Sequence, residues 1–128
     1  MKYYMSKIVG GNFDKVIAKV TEELKKEGFG VLTEIDIKGT LKKKLDVDFR
    51  NYKILGACNP EYAYNALQSE DKVGTMLPCN VIVQETTEGD IEVAAVNPQA
   101  SMMAIENEKL KDLAGDVNQK LQRVIDAV

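Results

Sequence analysis

The chain has 128 residues, 45% hydrophobic and 29% charged, with a net charge of −3 and no histidine. That length suits one domain over residues 1–128, whose core needs no disulfide or metal staple. The acidic balance argues against nucleic acid as a partner, since phosphate binding needs a basic patch, and no run approaches the roughly 20 apolar residues of a membrane span.

In chain order, Tyr3 to Val9 reads as a strand that ends at Gly10-Gly11, a glycine pair without the rest of a phosphate-binding fingerprint. Asn12 can cap a helix in which Phe13, Val16, Ile17, Val20 and Leu24 recur at helical spacing, and Gly28 stops it. Phe29 to Ile37 alternates with period two. Phe29, Val31, Thr33, Ile35 and Ile37 are expected on a buried face, with Leu32, Glu34 and Asp36 opposite. Thr40 is the expected cap of a short helix over Leu41 to Leu45. Its run Lys42-Lys43-Lys44 is diluted by Asp46 and Asp48 and reads as a solvated face.

Arg50 to Ala57 reads as the third strand. Asn59-Pro60 is a compact helix start, an Asn cap followed by Pro at the first helical position. The segment Asp71 to Pro78 reads as a loop whose Thr75 and Met76 are placed to face a ligand. Cys79 to Thr87 and Ile91 to Val96 are strands joined by Glu88-Gly89-Asp90 as a hairpin. Asn97-Pro98 opens a short helix through Met103. A long helix from about Asn107 to Val128 carries the stripe Leu110, Leu113, Ala114, Val117, Leu121, Val124, Ile125 and Val128. The hairpin forces antiparallel pairing, so the order implies an α+β fold: a mostly antiparallel two-layer sheet with helices on one face.

Two cysteines stand at joins between elements. Cys58 precedes the Asn59-Pro60 helix, whose N-terminal dipole favours a thiolate; the competing reading packs it against Ala63. Cys79 follows Leu77-Pro78 and reads either as a site residue or as the buried start of a strand. Thiol catalysis lacks a histidine base, and a redox role needs a cation such as Lys53 near the thiol. Cys58, Cys79, Met76, Met102 and Met103 are soft donors suited to Cu(I) if the fold gathers them; methionine is also common core filler. Glu34 and Asp36 suit a hard cation or acid–base work, or simply a solvated strand face. Tyr62 and Tyr64 line a pocket or cover the sheet edge. The opening MKYYMSKIVGG lacks a signal-peptide core, so a cytoplasmic protein with reduced thiols is expected.

The segments GFGVLTEIDIKGTLKKKLDVDFRNYKILGACNP and ALQSEDKVGTMLPCNVIV resemble the DUF302 family, bacterial and archaeal proteins of undefined function. The resemblance rests on Gly28 to Val31, Glu34, Asp36, Leu55 to Pro60, Leu77 to Cys79 and the Asn97-Pro98 region. It implies a TATA-box-binding-protein-like topology, β-α-β(4)-α with added short helices, and a homodimer. It implies no agreed activity, cofactor or catalytic residue. It does imply a location: Glu34, Asp36, Cys58, Asn59, Met76 and Cys79 as candidate ligand-binding residues where the ends of strands two, three and four converge. The functional expectation is a dimeric module that binds a small ligand or a soft metal near Cys58 and Cys79. The alternatives are a thiol-dependent enzyme or redox sensor, and a structural dimer with buried cysteines.

Overall fold

The computed structural model describes residues 1–128. Tyr4–Val9 forms β1, and Phe13–Lys26 forms α1, capped by the Asn12 side chain, which accepts from Lys15 N at 3.1 Å. Val16, Val20 and Leu24 are buried along one stripe of α1, as the spacing predicts. Glu23 is buried beside them, its carboxylate reached by Lys19 at 3.0 Å and Lys26 at 2.9 Å. The helix ends in paired bonds, Gly28 N to Lys25 O and Phe29 N to Leu24 O, around Gly28 at φ 87°. Only a residue tolerant of positive φ ends a helix this way, and the turn brings Phe29 back against Leu24.

Gly30–Asp36 is β2 and Ile37–Leu45 is α2. Here the structure departs from the sequence expectation twice. The helix starts four residues early because Asp36, a stronger cap than most side chains, accepts from Gly39 N at 3.1 Å. The ladder also slips between Val31 and Thr33, so Leu32 is an extra, bulged residue. One inserted residue reverses the side-chain alternation after it. Phe29 and Val31 therefore reach the core, while Ile35 is 45% exposed on the other face, and Ile37 belongs to α2.

Tyr52–Cys58 is β3, Pro60–Ser69 is α3, and Asp71–Met76, expected as a loop, is a 3₁₀ turn. Cys79–Glu85 is β4 and Ile91–Val96 is β5. The expected hairpin joins them, with Gly89 at φ 85°. Pro98–Ser101 is α4 and Glu108–Ala127 is α5. All neighbouring strands are antiparallel, in the order β1-β5-β4-β3-β2. The chain is thus the expected α+β sheet, β-α-β(4)-α with inserted short helices.

The main core lies between one face of the sheet and helices α1 and α5. Leu55, Val81, Val83 and Val93 meet Val20, Leu24, Leu121 and Ile125, all fully buried. A smaller cluster of Ala66, Val73, Met102, Leu110 and Ala114 joins α3, the 3₁₀ turn, α4 and the start of α5. The opposite sheet face is uncovered. Ile35, Ile54, Ile82 and Ala94 follow one another across β2, β3, β4 and β5 on that face. No helix is long and apolar enough to cross a membrane.

Candidate functional site

Between the two clusters lies a cavity of about 230 Å³. β3 ends in it with Ala57 and Cys58, and β4 begins in it with Cys79, paired with Ala57 across the ladder. Tyr62, Ala63 and Ala66 of α3 form one wall, and Leu110, Leu113, Ala114 and Val117 of α5 another. Phe29 and the bulged Leu32 stand on the β2 side; Leu32 lines the cavity while 68% exposed, so it sits at the rim. Of the 17 lining residues 14 are hydrophobic, and none carries a charge.

The small residues explain why space remains. Ala63, Ala66 and Ala114 present methyl groups where longer side chains from α3 and α5 would interdigitate and fill the gap. No buried side-chain nitrogen or oxygen lacks a partner. The cavity thus offers apolar surface, two thiols and the thioether of Met102.

Asn59 and Asn97 look alike in sequence and behave differently. Asn97 accepts from Gln99 N at 3.0 Å and caps α4. Asn59 occupies the cap position of α3 but makes no side-chain cap bond. Its amide instead donates to Glu27 O at 3.2 Å, tying the start of α3 to the end of α1. Gly28 makes room for it, since a Cβ there would stand 3.0 Å from Asn59 Nδ2. Asn59 lines the cavity as a structural tie with one of its two amide hydrogens engaged.

Cys58 is half-buried and Cys79 is buried; both are free thiols. Burial, and after it the neighbouring Cys58, push the Cys79 thiol up to about 11, so at neutral pH it is protonated and a weak nucleophile. No lysine or arginine lines the cavity. Lys53 lies five residues back along β3, roughly 17 Å away at about 3.3 Å per residue. Its ammonium is bound to Glu34 at 2.9 Å, and that hydrogen bond raises its pKa.

The remaining candidates lie elsewhere. Glu34 is paired with Leu55 and Asp36 with Lys53, at the opposite end of the β2–β3 ladder from Cys58, which pairs with Gly30. Glu34 holds Lys53, and Asp36 caps α2. Strands two, three and four are neighbours as expected, but only the Cys58 and Cys79 segments converge. Met76 is 40% exposed and faces a separate shallow depression with Thr75 and Ser101, outside the cavity. Nowhere do three His, Cys, Asp or Glu side chains gather to hold a metal ion. Tyr62 lines the cavity, with Lys120 Nζ 5.8 Å from its ring centroid, whereas Tyr64 is 64% exposed. Sequence reasoning missed Phe29 and the α5 residues as lining; the only trace was the run of alanines at 63, 66 and 114 within otherwise bulky apolar stripes.

The family model for a domain of unknown function, DUF302, matches residues 5–128. No curated protein matches the chain. Among solved structures, the chain is similar to the crystal structure of an uncharacterized conserved protein DUF302 from Bacillus stearothermophilus. The two are 28% identical, with a TM-score of 0.92, and the match covers 99% of this chain and 98% of that one. The resemblance carried by the two cysteine motifs is borne out.

Proposed function

The chain belongs to the DUF302 family, and from that premise we propose that it is a binding module for a small, compact, apolar guest taken into the cavity beside Cys58 and Cys79. One observation carries this reading: a cavity between two packed clusters whose 17 lining residues include no charge. Its volume of about 230 Å³ sets the size of the guest. A dry apolar cavity of roughly 150 Å³ accepts benzene, while drug-sized ligands and cofactors need roughly 300–1,000 Å³. A guest of one or two fused rings fits, and a nucleotide does not.

The reading takes the protein to be cytoplasmic, where both thiols stay reduced. It also takes the uncovered sheet face as the seat of a second copy. The apolar row from Ile35 to Ala94 supports this; on β1 the row meets Ser6, and Ile8, two residues on and opposite Glu92, is 54% exposed. Sedimentation of the wild type against Ile82→Glu tests that part: a dimer that becomes a monomer supports it, and a wild-type monomer removes it.

For the cavity, the test is thermal unfolding with indole or naphthalene, against an Ala63→Leu variant that fills the space. A guest at 100 times its Kd adds about 2.7 kcal/mol, a readable rise in Tm. The expected result is a rise for the wild type and none for Ala63→Leu. A rise of equal size in both would place the guest elsewhere and end the proposal.

A further inference from the structure

Five sulfur-bearing side chains stand out in the sequence, and the fold sorts them. Cys58, Cys79 and Met102 line one cavity. Met76 and Met103 are 40% and 60% exposed and lie outside it. Cys79 is paired across the ladder with Ala57, so the two thiols are one residue apart in register, on neighbouring strands. Met102 follows α4 and is itself buried.

We propose that Cys58 and Cys79 are the two anionic ligands of a soft monovalent d¹⁰ cation, Cu(I) or Ag(I), with Met102 as a third, neutral donor. The proposal rests on the cavity being the binding site; it is independent of an apolar guest. Donor chemistry selects the ion. Thiolate and thioether sulfur favour Cu(I) over hard cations. No carboxylate lines the cavity and the chain has no histidine, so hard and borderline cations find no ligand set there. A four-ligand zinc site is excluded by the same count, whereas soft d¹⁰ ions are satisfied by two or three sulfur donors.

The step is an exchange of protons for the ion: M⁺ and two thiols give a bis-thiolate complex of charge −1 and release two protons. No electron moves, so copper enters and stays as Cu(I).

The test is an anaerobic titration of the whole protein with Ag(I), read by native mass spectrometry, and a competition for Cu(I) against a coloured Cu(I) chelator. The expected result is one ion per chain with two protons released. Cys58→Ser and Cys79→Ser should each lower affinity by on the order of 100-fold, and Met102→Leu by roughly 3- to 10-fold. Cys58 is only half-buried, so Cys58→Ser reads the site even if Cys79→Ser does not fold. Failure to retain an ion against the chelator overturns the proposal, as does equal binding by Cys58→Ser. Indole binding without ion retention leaves the cavity reading standing and removes the metal. Cysteine-dependent ion retention without indole binding does the reverse.

Discussion

The ladder of β2, β3 and β4 has two ends, and they are built in opposite ways. At one end Cys58 and Cys79 meet Phe29 and the alanines of α3 and α5, and no charge is present. At the other end Glu34 binds Lys53, Asn51 donates to Glu85 at 3.0 Å, and Asp36 caps α2. The strands are the same; what differs is the cover. α3 and α5 roof the thiol end, while the carboxylate end faces a polar depression shared with Asn12 and Asp14. Acids that share a strand with cavity residues thus lie outside the cavity. Their partners are already in place, and water does the rest.

The contrast breaks first, and most, at Phe29. Its ring is 3% exposed at the roofed end, and Phe29→Ala should cost about 3–5 kcal/mol in chemical denaturation. A loss below about 1 kcal/mol would mean that the roofed end is not packed as described.

Alkaline pH sharpens the contrast at an intermediate scale. The unfolded chain releases the Cys79 proton near pH 9 and the folded chain only near 11, so between them the folded state holds more protons. Stability from this group is intact below pH 9 and falls as pH rises, by about 2–3 kcal/mol once both states are ionised. Denaturation of the wild type and of Cys79→Ala across pH 8–11 isolates the effect from other titrating groups. Parallel curves for the two proteins would show that Cys79 is not desolvated.

At the carboxylate end the effect is smallest. Glu34 is 47% exposed in its bridge to Lys53, so Glu34→Gln should cost less than about 1 kcal/mol and lose that effect in high salt. A larger, salt-independent loss would make the two ends alike.

These ends were unequally legible in the sequence. The stripes of α1 and α5 and the Glu88-Gly89-Asp90 hairpin could be read directly, because helical and strand periods repeat over many residues. The convergence of the cysteine segments followed from strand neighbourhood. The fate of Glu34 and Ile35 did not, because a single bulged Leu32 inverts the alternation and nothing in its residue type marks it. Asn59 was equally opaque. Asn-Pro starts both α3 and α4, and only the neighbouring helix end, 32 positions earlier in the chain, draws the Asn59 amide away from its own helix. A 3₁₀ turn at Asp71–Met76 was read as a loop because one short turn carries no period to detect.

The division of the interior into two clusters has a dynamic consequence. The smaller holds five buried residues against sixteen in the larger, so it has less apolar surface to lose on opening. It constitutes the natural sub-global unfolding unit. Amide protons of α3 and of the first turns of α5 should exchange with deuterium well before those of β4 and β5. Because the cavity lies on the seam, each such breathing event uncovers Cys79. The buried thiol then becomes a reporter of how often that seam parts.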